Sequence, residues 1–334
     1  MSRHFSHIGV LGAGAWGTAL ALAAHAAGRK TTLWARDADV RKAIHAHGES
    51  RFLRGVSIPQ DLAVTGDLDE AARADALLLA VPAQALRGFT DTLRPYLGPG
   101  TPLVICAKGI EKDSGKLMNE VVAECLPGAA PAILSGPSFA HDVARGLPTA
   151  VTIAADGTVA DGLAARLQES LGSSAFRPYA SDDLVGVALG GAAKNVYAIA
   201  CGVVDGMGLG ENARAALLAR SFAELARLGE ALGARRETLM GLAGLGDLVL
   251  SATSRSSRNF SFGAELGGGA ALSVLRTLGK PLAEGVDTAP ALVARAKAAG
   301  VEMPIAEATA DLLSGALPPG EAVVRLMRRR LTVE

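Results

Sequence analysis

Residues 8–27 read IGVLGAGAWGTALALAAHAA, from Ile8 to Ala27, and contain no Asp, Glu, Lys or Arg. A hydropathy window over so uncharged a stretch flags a signal peptide or a membrane span. The glycines argue otherwise. Gly9, Gly12, Gly14 and Gly17 fall inside it, and each glycine in a continuous helix costs about 0.8–1 kcal/mol relative to alanine. Divided into a strand (Ile8 to Leu11), a turn (Gly12 to Ala15) and a helix (Trp16 to Ala27), the stretch gives every glycine a use.

Gly12-Ala13-Gly14-Ala15-Trp16-Gly17 has the G-x-G-x-x-G spacing. Gly12 makes the tight turn, Gly14 lets a pyrophosphate approach the backbone, and Gly17 brings helix against strand. Unpaired N–H groups at the helix start then bind the anion without a charged side chain. Context strengthens the motif, because Thr31 to Trp34 (TTLW) reads as a second strand closing a short βαβ unit. At the end of that strand, where the adenosine ribose is read, stand Arg36 and Asp37. Arg36 suits a 2′-phosphate and so favours NADPH, or is a solvated residue at a helix start; Asp37 suits a ribose diol.

Working outward, ALLLAV (Ala76 to Val81) and PLVIC (Pro102 to Cys106) are short apolar runs suited to a sheet buried on both faces. Helices are expected over Asp67 to Arg73 and Gln84 to Leu93, and later strands at Ala132 to Leu134 and Ala150 to Ala154. The fold class is therefore α/β, a doubly wound sheet, with ligands beyond the carboxyl ends of its strands at Val81-Pro82, Lys108-Gly109 and Ser135 to Ala140. From about Ser181 the alternation stops and long alanine-rich helical stretches take over. The expected organisation is a dinucleotide-binding domain over 1–180 followed by an all-helical domain over 181–334, with Ser181 or Asp182 capping a helix from Leu184 to Met207.

Composition narrows the function. Lys plus Arg and Asp plus Glu are both 33 in 334 residues, so the formal charge is zero and no global field draws the chain to nucleic acid or anionic lipid. The three cysteines (Cys106, Cys125, Cys201) are odd in number and widely spaced, and the six histidines show no ligand spacing. Neither a disulfide framework nor a metal site is expected, and a reducing cytoplasm fits. Two near motifs fail. Gly109 and Gly115 are separated by five residues where a P-loop needs four, and Leu117 stands where Ser or Thr would hold magnesium. Gly136 to Ala140 resembles a nucleophile elbow, but no histidine follows His141. The run Arg325 to Arg330 suits the negative end of a final helix.

Between Asp183 and Asp205 the only charged residue is Lys194. Its ammonium either snorkels to the surface or is a buried functional amine needing compensation. Gly190, Gly191 and Ala198 lie on neighbouring turns and leave a low wall for a cofactor ring or small substrate. A cation there suits ketone reduction, in which hydride reaches carbon and a proton reaches the developing alkoxide. Asp247, within Gly241 to Leu248, is the candidate counterion. Ser257, Arg258 and Asn259 either hold a phosphate or form a solvated polar loop.

The segments GAGAWGTALA, ICAKGIE, SGPSFA, GGAAKNVYAIACGVVDGMGLGENARAAL, GLAGLGDL, SRNFSFG and LAEGVDT occur in this order. Over roughly Ile8 to Leu326 the chain resembles the bacterial NAD(P)-dependent glycerol-3-phosphate dehydrogenase family. The resemblance implies a Rossmann-type domain, reversible reduction of dihydroxyacetone phosphate to sn-glycerol 3-phosphate by NADPH or NADH, and a role in glycerophospholipid synthesis. It implies Lys194 as proton donor and acceptor and Lys108 as a contact of both cofactor and substrate. It implies Gly136, Ser138, Asp247, Ser257, Arg258 and Asn259 as substrate contacts in a cleft between domains. Ala15, Trp16, Arg36, Ala140, Leu282 and Glu284 are implied along the dinucleotide, with Arg258 also facing it; at position 15 many relatives carry serine. No nucleic acid or transmembrane segment is implied, and a homodimer is compatible. The competing readings are a related β-hydroxyacid dehydrogenase and a dinucleotide-sensing protein, which would need no Lys194 and Asp247 constellation.

Overall fold

The computed structural model describes residues 4–160, 162–277 and 283–328. It divides into two compact units, one of residues 1–108 and 117–188, the other of residues 109–116 and 189–334.

The first unit begins with β1 (His7–Leu11), α1 (Ala15–Ala26), β2 (Lys30–Trp34), α2 (Ala38–His47), β3 (Ala63–Thr65), α3 (Leu68–Ala72) and β4 (Ala76–Leu79). It continues with α4 (Leu86–Leu93), β5 (Pro102–Ile105), α5 (Met118–Cys125), β6 (Ala130–Ser135), α6 (Ala140–Ala144), β7 (Thr149–Ala155), α7 (Leu163–Leu171) and β8 (Phe176–Ser181). The strands form one sheet in the order β3-β2-β1-β4-β5-β6-β7-β8. Every pair is parallel except β6 with β7. The order reverses at β1 and β4, which makes a doubly wound sheet whose switch point lies beyond the carboxyl end of β1. Leu77, Leu78 and Leu79 are fully buried, as a strand covered on both faces requires.

The expected strands are all present, and α1 starts one residue earlier than expected. Six elements of this unit have no range in the sequence reading: α2, β3, α5, α6, α7 and β8. β3 spans only Ala-Val-Thr. β8 is an edge strand in which Phe176 and Pro178 are buried while Arg177 and Tyr179 are exposed; Pro178 is tolerated because one side of an edge strand needs no ladder donor.

The helical unit comprises most of α8 (Leu184–Gly206), followed by α9 (Gly210–Ala231), α10 (Arg236–Met240), α11 (Asp247–Thr253) and α12 (Arg258–Gly267). Then come α13 (Leu272–Thr277), α14 (Glu284–Ala298), α15 (Pro304–Ser314) and α16 (Pro319–Met327). The cap of α8 differs from expectation. Asp183 Oδ1 accepts from the Gly186 amide at 2.7 Å, while Ser181 Oγ accepts from the Asp183 amide at 3.1 Å. The N-cap side chain must reach the third helical amide, and with Leu184 as the first helical residue Asp183 has that spacing. At the other end of the chain, Arg325 lies in the last turn of α16 and Arg328 just past it; Arg329 and Arg330 lie outside the described residues.

α8 is long and apolar enough to cross a membrane by length and composition, yet 94% of its most apolar window is buried within the protein. A glycine stripe explains how it packs. A Cβ on Gly202 or Gly206 would lie 2.1 Å from the Phe260 or Ala264 carbonyl oxygen of α12, and one on Gly263 would lie 2.1 Å from that of Ile199. These glycines thus serve helix contact at backbone distance. Gly190 has the same use: its Cβ would lie 2.6 Å from the Ala243 carbonyl oxygen, so the low wall expected there is filled by backbone.

Candidate active site

In the sheet unit the site starts at the turn after β1. Gly12 has φ +118°, and a Cβ on it would meet the Ala80 carbonyl oxygen at 2.7 Å. On Gly17 a Cβ would lie 1.8 Å from the Gly12 carbonyl oxygen, whereas around Gly14 nothing stands within 4 Å. Gly14 is the N-cap of α1 and offers its amides no side-chain acceptor. The indole Nε1 of Trp16 is buried without a hydrogen-bond partner among the described residues. An uncapped helix start, open space at Gly14 and an orphaned indole donor fit a dinucleotide pyrophosphate.

Beyond the other strands, the Gly136 carbonyl accepts from Lys108 Nζ at 3.1 Å and from Ser138 Oγ at 2.9 Å. Gly136 has φ +144°, and a Cβ there would lie 2.9 Å from Val151 Cα, so only glycine lets the chain turn so close to β7. Ala140 opens α6. After β2, Arg36 is exposed. Asp37 caps α2, with Oδ1 accepting from the Asp39 amide at 2.9 Å, and Oδ2 pairs with Arg51 at 2.5 Å. The Asp39 amide, then Arg51, hold the Asp37 carboxyl below the usual carboxylate range.

In the helical unit Lys194 is buried, at 8% exposure, and its Nζ lies 2.5 Å from Asp247 Oδ1, itself 1% exposed. The lysine also donates to Ser251 Oγ at 3.0 Å. One turn of π-helix over Leu242–Gly246 precedes Asp247 and packs on α8 through Gly190; such turns re-aim side chains at functional sites. Asp247 and Ser251 stand four residues apart on α11, hence on one face.

The remaining expected residues fall in a second cluster. Ser257 caps α12 by accepting from the Phe260 amide at 3.3 Å, and Arg258 is exposed in the first turn. Asn259 is buried; its Nδ2 donates to Asn195 Oδ1 at 2.8 Å and its Oδ1 accepts from the Gly285 amide at 3.0 Å. Glu284, half-buried, is the first residue of α14. Leu282 lies outside the described residues. The sequence reading missed Ser251, whose signal was the four-residue spacing from Asp247, and the pairing of Asn195 with Asn259.

Residues 7–160 match the family pattern described as NAD-dependent glycerol-3-phosphate dehydrogenase N-terminus, and residues 183–324 match that of its C-terminus. The chain belongs to the NAD-dependent glycerol-3-phosphate dehydrogenase family. Family members of similar length align throughout. The glycerol-3-phosphate dehydrogenase [NAD(P)+] of Bradyrhizobium sp. (strain ORS 278) is 56% identical and covers 100% of both chains. That of Parvibaculum lavamentivorans is 52% identical over 98% of both. The crystal structure of the family member from Coxiella burnetii superimposes with a TM-score of 0.91 at 37% identity, covering 98% of this chain and 100% of that one.

Proposed function

We propose that this chain catalyses the reversible reduction of dihydroxyacetone phosphate to sn-glycerol 3-phosphate with NADH or NADPH, supplying glycerophospholipid synthesis in the cytoplasm. The carrying observation is the buried Lys194, Asp247 and Ser251 cluster in a chain that belongs to this family. An ammonium enclosed in a core helix is costly unless paired, and its retention is explained by proton transfer.

A reduced nicotinamide, when bound, would supply the hydride to C2 of the ketone. Lys194 gives a proton to the C2 oxygen as the alkoxide develops and takes it back in the reverse direction. Asp247 keeps the amine charged between turnovers and, with Ser251, fixes the direction of Nζ. Lys108, steadied by the Gly136 carbonyl, adds positive charge toward substrate and cofactor, and Gly136 and Ser138 contact the substrate. Arg258 holds the phosphate with Ser257 and Asn259, while also facing the cofactor. Gly12, Gly14, Ala15, Trp16, Gly17, Arg36, Ala140 and Glu284 line the dinucleotide; Leu282, which the family resemblance adds to this set, lies outside the described residues. In this reading residues 1–180 bind the dinucleotide and residues 181–334 carry substrate and catalysis. Arg36 favours NADPH.

The test is loss of reduced-nicotinamide absorbance on adding dihydroxyacetone phosphate. Turnover with that substrate and none with a 3-keto carboxylate is expected; the reverse pattern would assign the chain to β-hydroxyacid chemistry.

A further inference from the structure

The end of β2 holds more charge than Arg36 alone. Besides Arg36 on the strand's extension, Arg41 of α2 reaches the backbone there, and Arg51, on the turn closed by the Ser50 and Leu53 bridge, reaches the adjacent Asp37. Arg41 is committed to the backbone, since its Nη1 donates to the carbonyl oxygens of Ala35 at 2.5 Å and Arg36 at 3.0 Å. Arg51 pairs with Asp37 and lies over the Phe52 ring, 5.0 Å from its centroid, and both side chains of the ion pair are about half exposed, 53% and 43%.

This pairing bears on which ribose is accepted. A 2′,3′-diol needs a carboxylate with open acceptor positions at the end of the second strand. Asp37 stands there, but Oδ1 already accepts from the Asp39 amide and Oδ2 from Arg51, so the guanidinium offsets its charge and one lone pair per oxygen is left for a diol. A 2′-phosphate carries about −1.5 to −2 charges against −1 for a carboxylate and presents three oxygens to a guanidinium fork. It would draw Arg51 from Asp37, and the exposed side chain of Arg51 has room to turn. The cap on α2 does not depend on Arg51, so the helix start survives the exchange.

We propose that Arg51 is a specificity-determining residue, forming with Arg36 a two-armed receptor for the 2′-phosphate of NADPH and, when that phosphate is absent, masking the Asp37 carboxylate that NADH would use. The inference rests on the dinucleotide reading of the β1 turn and the β2 end.

Calorimetric titration of the full chain with NADPH and with NADH, without substrate, tests it. In Arg51→Ala the NADPH dissociation constant is expected to rise about tenfold, as for a lost charge-assisted contact, while NADH binds about twofold more tightly because Asp37 is unmasked. Asp37→Asn keeps a capping oxygen but frees Arg51, so the preference for NADPH should increase about threefold. An unchanged NADPH to NADH affinity ratio in Arg51→Ala, whether through equal losses or none, overturns the proposal. A wild-type chain that binds neither dinucleotide would instead overturn the reading on which it rests.

Discussion

Lys194 and Asp247 show how the pair proposed for proton transfer also carries a stability cost. Both side chains are nearly enclosed, so removing one leaves the other as an uncompensated buried charge. Asp247→Ala is expected to cost roughly 3–5 kcal/mol, read by urea unfolding, and Lys194→Met together with Asp247→Leu should recover much of the loss. Lys194→Ala should abolish turnover while leaving NADPH binding largely intact; near-normal turnover would remove Lys194 from the proton-transfer role. The lysine was legible because no other charge falls between Asp183 and Asp205. Ser251 was not, since a serine in an apolar helix is unremarkable until the face it shares with Asp247 is known. The same limit applies to Gly190, where spacing shows a missing side chain but not the backbone that fills its place.

Among the helices, Glu224 ties three elements together. It lies on α9 at 2% exposure, accepts from the Ile305 and Ala306 amides at the start of α15 at 2.8 and 3.2 Å, and receives the Tyr197 hydroxyl of α8 at 3.3 Å. Burial pushes its carboxyl up from 4.5 to about 7, against the opposing pull of those amides. A carboxyl raised in the folded state binds its proton more tightly there than in the unfolded chain. Its contribution is therefore complete below pH 4.5 and lost as pH rises to about 7. The loss is roughly 3 kcal/mol. Glu224→Gln, which resembles the protonated form, should flatten the fall in unfolding free energy across that window; an unchanged slope would exclude Glu224 as its source. Backbone-distance packing gives a second element-scale prediction. Gly263→Ala forces a methyl to within 2.1 Å of the Ile199 carbonyl oxygen, so α12 must move from α8, at about 3 kcal/mol or more, seen as a lowered Tm. Strands buried on both faces were legible as apolar runs. β3 and β8 were hidden by shortness and by Pro178, and the glycine stripe by its wide spacing in the sequence.

For the whole molecule, the sequence pattern changes character near Ser181, where β8 ends. The two compact units instead divide inside α8, between Ala188 and Leu189, and residues 109–116 return to the helical unit. Periodicity reports how each segment folds locally, so it locates a change from strands to helices but carries no sign of a short loop that joins a later part of the chain. The loop itself is a turn: Gly115 has φ +68°, and its amide donates to the Glu111 carbonyl at 2.8 Å. What holds that turn in the helical unit includes Arg295 of α14, whose Nη1 donates to the Gly115 carbonyl at 3.0 Å. This long-range contact links positions that no local motif connects. Arg295→Ala should loosen the far end of the loop selectively, because the buried Ile110 anchors only its first residues. Limited trypsin digestion of the full chain should then cut faster after the exposed Lys112, with the β1 turn still binding dinucleotide. Cleavage at the wild-type rate would mean that the loop is held by its own turn hydrogen bonds and by contacts other than Arg295.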